Sequence, residues 1–417
     1  VADRPRVLIT GIGTVNPLGN DRETFWKNCL SAASAIAPID RFDAGGLPIH
    51  LAAQVREFDR FDHVPRRLAV KSDVFAHYAI AATAEALAHA RLDLAGEDEF
   101  RTGISFGNNS GGWDLCERGF REYYEQGPSM INPWQATAWF PTAAQGFTSI
   151  RYGVRGFSKS FACDRASGAT ALHHALRSLA WGRNDVVLAG GSEAPITRLG
   201  VAAHVTTGEL TRSADPATAY RPFRPGRDGL VLGEGATVLV LETAERATRR
   251  GAEVLGEVLA VEQRTTDPAD PAGLESALRA ALDRAGRRPA EVGVVFAEGA
   301  GGVVADAVEA RALARVFGPR GVPVTVPKAA YGHQYGASAA TEVACAVLML
   351  RDKAIPPTPG GGDADPDCPV DLVTGTRPVE TDTVVVVSRA REGANVVIVL
   401  GRADTDHHHQ EPERSMP

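Results

Sequence analysis

Two stretches in opposite halves of this chain follow one grammar. Residues 84–112 read AEALAHARLDLAGEDEFRTGISFGNNSGG, and residues 279–302 read RAALDRAGRRPAEVGVVFAEGAGG. Each reads as an Ala/Leu helix, a polar connection, a short apolar strand and a glycine-rich turn. In the second copy Leu274, Leu278, Ala281, Leu282 and Ala285 keep helical spacing. Gly286 suits the C-terminal cap, and Val292 to Ala297 make a strand. An internal duplication of this kind predicts two related α/β halves that share one core.

Further buried strands are expected at Val7–Thr10, Asp185–Ala189, Thr237–Leu241, Val322–Val326, Thr383–Ser388 and Asn395–Leu400. The charged helix Ala244–Gly251 marks the junction, giving halves 1–253 and 254–404 and a tail, 405–417, expected to be disordered. With 417 residues and 44% apolar content, the chain can bury a core of that size. The Pro/Gly/Asp-rich stretch Ile355–Asp367 reads as a surface loop. Gly11-Ile12-Gly13 is not a dinucleotide fingerprint, because Asn16 stands where the third glycine belongs.

A net charge of −7 argues against nucleic acid as a partner. No apolar run approaches a membrane span and no targeting leader is evident, so a cytoplasmic protein is expected. Cys29, Cys116, Cys163, Cys345 and Cys368 are scattered and follow no zinc spacing. Neither a disulfide framework nor a metal site is expected from them. His407-His408-His409 lie in an acidic, Pro-containing tail and read as terminus. Arg212, Arg221, Arg224 and Arg227 form either a patch for an acidic partner or a set of internal salt bridges.

The segment Phe161-Ala162-Cys163-Asp164-Arg165-Ala166-Ser167-Gly168 suits a tight turn into a helix running to about Gly182. Such a turn aims backbone N–H groups and a positive dipole end at the side chain that starts the helix. A thiolate would be activated there, yet the residue is Arg165. Cys163, two positions earlier, reads as a buried structural thiol or, alternatively, as a shifted nucleophile.

The chain resembles the β-ketoacyl-ACP synthases of the thiolase superfamily over nearly its whole length. The resemblance rests on Arg221-Pro222-Phe223, Arg227-Asp228-Gly229, Gly233-Glu234-Gly235, Ala189-Gly190-Gly191-Ser192-Glu193, and Lys328 with Gly332-His333. It implies a thiolase fold of duplicated halves layered αβαβα, with no cofactor. The nucleophilic cysteine of that family aligns with Arg165, and its first histidine with Glu298, in register with Asp306 and Glu309. The second histidine is kept as His333, with Lys328 and Glu342 as the structural ion pair. The gating loop aligns with Ala390-Arg391-Glu392-Gly393, so Arg391 replaces its phenylalanine. A carboxylate at Glu298 would repel the developing enolate of a condensation.

A synthase framework without its catalytic devices resembles the chain length factor, or ketosynthase β subunit, of bacterial type II polyketide synthases. In that family the silent subunit pairs with a catalytic ketosynthase and helps enclose a tunnel for the carrier-bound chain. The resemblance implies a tunnel gate of Trp113, Cys116 and Phe120, on one helical face. It implies an interface through Met130, Trp134, Trp139 and Phe140. Arg165 and Glu298 should then lie together as a buried pair. Two departures stand out: Arg165 where that family usually carries Gln, and the retained His333. The competing expectations are an active synthase using Cys163, a malonyl-ACP decarboxylase depending on His333, and a homodimeric carrier-docking protein.

Overall fold

A computed structural model describes residues 5–138 and 140–402. The two Ala/Leu stretches lie in the helices Val74–Ala90 and Pro271–Arg284. Each leads to a short strand, Thr102–Gly107 or Val294–Phe296, and then through a glycine-rich turn to a second helix, Trp113–Gln126 or Val303–Phe317. The repeated grammar is therefore repeated structure.

The strands form one eleven-stranded sheet. Its order across the first half is Lys159–Phe161, Thr102–Gly107, Val186–Glu193, Gly235–Thr243 and Val7–Val15. It continues through Gly256–Thr265, Ala394–Gly401, Thr383–Arg389, Val294–Phe296, Pro323–Thr325 and Asp371–Leu372. Counted outward from the central contact between Val7–Val15 and Gly256–Thr265, both halves show the same directions. Two antiparallel pairings are followed by parallel ones, two in the first half and three in the second. Matching topology on either side of a junction is what duplication of one α/β unit produces.

The helices Ser167–Ala180 and Ser338–Asp352 lie between the inner faces of the two halves, sharing a core with Ile9, Leu239, Val386 and Ile398. The outer face of the first half is covered by Val74–Ala90 and Ala143–Tyr152, that of the second by Pro271–Arg284 and Val303–Phe317. The result is the αβαβα layering of the thiolase fold.

Glycines let the layers close where backbones meet. A Cβ on Gly107 would lie 2.3 Å from the Gly168 nitrogen, and one on Gly191 would lie 2.1 Å from the Gly336 carbonyl oxygen. The start of the central helix, two strand ends and the 333–336 turn thus converge at one point. Gly11 and Gly13 lie mid-strand against the Ala86 and Ala82 carbonyls, which accounts for both without a nucleotide.

Some sequence expectations need correction. The strand Gly256–Thr265 has no counterpart among the expected strands, because Glu257, Glu262 and Arg264 disguise its alternation. Its two glutamates are buried and neutralised by Arg6 at 2.5 Å and Arg284 at 2.6 Å. Ile355–Thr358, expected in a surface loop, is buried. The buried Arg224 clamps the following turn, donating to the carbonyls of Thr358, Pro359 and Gly362. Arg227 pairs with Asp306 at 3.5 Å and Asp365 at 2.9 Å. Those two arginines are structural, whereas Arg212 is exposed. No helix among the described residues is long and apolar enough to cross a membrane. Trp139 and the tail 405–417 lie outside the described residues.

Candidate functional site

The strand Lys159–Phe161 runs into the turn that opens the central helix at Ser167. Asp164 takes a left-handed conformation, φ +50°. Ser167 Oγ fixes the turn by accepting from the Cys163 N–H at 2.8 Å and donating to the Asp164 carbonyl at 2.6 Å. Arg165 is thereby turned inward at a helix N-terminus, where the dipole disfavours a cation. Three carboxylates offset that cost: Glu209 at 3.1 Å, Glu298 at 3.6 Å and Asp164 at 3.6 Å. Burial works against the charge, but the carboxylates outweigh it, and the Arg165 pKa is raised above its ordinary value.

Glu298 occupies the turn after the strand Val294–Phe296. Glu309 accepts from the N–H groups of Glu298 and Gly299, and Asp306 from that of Gly301, so the two acids shape the turn itself. The Glu298 carboxylate is buried at the centre of a cationic cluster. Oε1 lies 2.8 Å from His333 Nε2, and Oε2 lies 3.4 Å from Lys328 Nζ and accepts from the Arg389 N–H. Burial alone would raise its pKa. Lys328, His333 and Arg165 hold it instead far below the usual carboxylate range.

His333 is fully buried, and burial lowers its pKa despite the neighbouring carboxylate. Its Nδ1 accepts from the Tyr335 N–H at 3.0 Å, so the neutral ring carries its proton on Nε2 and donates it to Glu298. Both ring nitrogens are committed within the protein. Lys328 also reaches Glu342 at 2.9 Å, yet the Glu342 pKa is pushed up to about 8. Burial dominates, because one ammonium is shared with a carboxylate that already holds most of the local positive field.

The hairpin Ala390–Gly393 is docked on the nucleophile turn by the Arg391 N–H, which donates to Asp164 Oδ2 at 2.9 Å. The Arg391 side chain is exposed and pairs with Glu392 at 2.9 Å. Beside this hairpin opens a cavity of about 530 Å³, lined among others by Trp113, Cys163, His204, Tyr335 and Arg391. Cys163 is half-exposed on its wall, a correction to the expected buried thiol. The left-handed Asp164 turns Arg165 into the protein and leaves the preceding thiol at the cavity.

The structure separates the surroundings of the three expected gate residues. Trp113 lines the cavity, Cys116 is buried beside Leu115, and Phe120 is 38% exposed. Downstream, Met130 is 53% exposed, Phe140 59% and Trp134 37%, the last with Lys71 4.3 Å over its ring. Sequence reasoning missed Glu209 and Asp164 as partners of Arg165. Asp164 stands next to it in the sequence; Glu209 carries no local signal.

Two family models match the chain: the beta-ketoacyl synthase N-terminal domain over residues 4–247 and the beta-ketoacyl synthase C-terminal domain over residues 252–361. The tetracenomycin polyketide synthase ketoacyl synthase beta subunit of Streptomyces glaucescens is 38% identical over 401 residues, 95% of this chain and 98% of that one. Among solved structures, the ishigamide ketosynthase/chain length factor gives a TM-score of 0.88 at 28% identity, over 96% of this chain and 100% of that one. A type II polyketide synthase acyl-carrier protein in complex with its ketosynthase, bound to the hexaketide, gives 0.85 at 25% identity, with the same coverage of both chains.

Proposed function

The chain belongs to the β-ketoacyl synthase family, on its branch of type II polyketide ketosynthase β subunits, and on that premise we propose that it is a silent partner that sets polyketide length. It heterodimerises with a catalytic ketosynthase and shapes the tunnel that receives the carrier-bound chain. Two halves, 1–253 and 254–404, make up the subunit. The observation that carries the reading is the refilled pocket. Arg165 stands in place of the thiolate, and Glu298 takes the N–H of His333 that a condensing enzyme would offer to its substrate.

Trp113, Cys116 and Phe120 form the length gate. Trp113 supports this most directly: it opens the helix that carries the other two and lines the cavity beside the refilled pocket. The exposed apolar side chains Met130, Trp134 and Phe140 supply the ketosynthase contact, since patches of this kind mark partner surfaces. The chain works in the cytoplasm, which its five free cysteines support.

One observation favours a second reading, an acyl acceptor at Cys163: the half-buried residue lines the cavity. A single experiment decides. The chain is co-expressed with its ketosynthase, the complex purified, and both subunits exposed to an acylating ketosynthase inhibitor. Co-purification with label on the ketosynthase alone fits the silent subunit. Label on Cys163 would make this chain an enzyme, and a homodimer without the ketosynthase would make it a carrier-docking protein.

A further inference from the structure

Glu193 ends a strand of the first half with its carboxylate fully buried. It accepts from five donors: the N–H groups of Asn109 at 2.8 Å, Ser110 at 3.3 Å and Gly336 at 3.1 Å, the Asn108 Nδ2 at 3.3 Å, and the Ser110 hydroxyl at 2.7 Å. Asn108 completes the turn by accepting from the Gly111 N–H at 2.7 Å. Ser110 Oγ, its proton given to Glu193, accepts in turn from Trp113 Nε1–H at 2.8 Å. The indole is therefore fixed at its polar edge by a hydroxyl that is itself fixed by a buried carboxylate.

The rest of the Trp113 environment constrains it less. One part of the ring lies against Gly200, where a Cβ would come within 3.1 Å of Trp113 Cγ, and His204 meets it edge-on at 6.0 Å between ring centres. The remaining side borders the cavity of about 530 Å³. An indole released from Ser110 has space into which it can turn.

We propose that Ser110 and Glu193 are positioning residues for chain length, a relay that holds the Trp113 indole across the end of the acyl tunnel. This rests on the reading of Trp113 as a gate. Because Glu193 also binds the Gly336 N–H, the relay ties the gate to the turn carrying His333 and Tyr335 and keeps the two halves of the subunit in register there. Size alone would then not set product length. The same tryptophan would stop the chain at one length when anchored and at several when loose.

The test uses the complex of this chain with its ketosynthase, supplied with carrier protein and extender units, and reads product lengths by mass spectrometry. Ser110→Ala removes the anchor; Ser110→Thr keeps a hydroxyl. Trp113→Phe removes the N–H and keeps a ring, and Trp113→Ala removes the gate. Ser110→Ala is expected to raise the share of products longer than the native one at least about threefold, with Ser110→Thr close to native. Trp113→Phe should loosen the distribution similarly, and combining it with Ser110→Ala should add little, as for two ends of one hydrogen bond. A native distribution from Ser110→Ala and Trp113→Phe, alongside a changed one from Trp113→Ala, would overturn the relay and leave the gate standing. A native distribution from Trp113→Ala as well would overturn both. If Ser110→Ala does not fold, the comparison of Trp113→Phe with Trp113→Ala still decides.

Discussion

The Nε2 atom of His333 lies 2.8 Å from Oε1 of Glu298, so the histidine that this framework keeps has its ring proton engaged by a carboxylate of the same pocket. A neutral imidazole has one N–H to give. Here it is spent on a carboxylate that Lys328 and Arg165 keep ionised. The pocket is an ion cluster centred on Glu298, with Glu209 and Asp164 completing the surroundings of Arg165 and Glu342 those of Lys328.

That centrality sets the order of mutational cost. Glu298→Gln leaves Arg165 with Glu209 and Asp164, but leaves the buried Lys328 with Glu342 alone, whose pKa is raised, and should cost roughly 3–5 kcal/mol of stability. Arg165→Met should cost less, because Glu298 keeps Lys328 and His333, and Glu209 is partly exposed. Urea denaturation of the two variants checks the order. Equal losses would mean that Arg165, not Glu298, organises the cluster.

Restoring the thiol should not restore the reaction. Arg165→Cys puts sulfur at the start of the helix, but Glu298 still occupies His333 and opposes the developing enolate. No condensation product is expected from this variant assayed with acyl- and malonyl-carrier substrates in the absence of the ketosynthase. Turnover above the unsubstituted chain would show that the arginine alone silences the site.

Stability should depend on pH with opposite signs at two neighbouring glutamates. The Glu342 pKa is raised from its ordinary 4.5 to about 8, so its contribution is complete below about pH 4.5 and is lost as pH rises toward 8. The Glu298 pKa is depressed, so its contribution is present above about pH 4.5 and is lost as pH falls below that value. Glu342→Gln should therefore flatten the decline in thermal midpoint between about pH 5 and pH 8. An unchanged slope in this variant would mean that Glu342 is ionised throughout, as the simple partner of Lys328.

Assembly should depend on the exposed aromatic segment. Trp134→Ala with Phe140→Ala removes two large side chains that the isolated subunit leaves open to solvent, and should weaken association with the ketosynthase at least about tenfold. Sedimentation of the mixed subunits measures the dissociation constant. Native affinity in the double variant would move the interface off this segment.

The order of elements, the duplication and the residues standing at the family's cysteine and first histidine positions could be read from the chain alone. Helical spacing from Leu274 to Ala285 and the apolar run Val384 to Val387 in the closing hairpin are local patterns, and the loss of a cysteine at Arg165 or a histidine at Glu298 is a matter of register. What the tertiary structure decided is partnership. Glu209 reaches Arg165 across the two helices and the strand that separate them in the chain, and Glu298 reaches His333 from 35 positions away. The strand Gly256–Thr265 buries two glutamates, which Arg6 and Arg284 reach from other elements to neutralise. Cys163 faces a cavity instead of the core because one left-handed residue, Asp164, reverses the side-chain alternation. Charge pairing and side-chain direction depend on distances that close only when the two halves meet, and no periodicity along the chain encodes them.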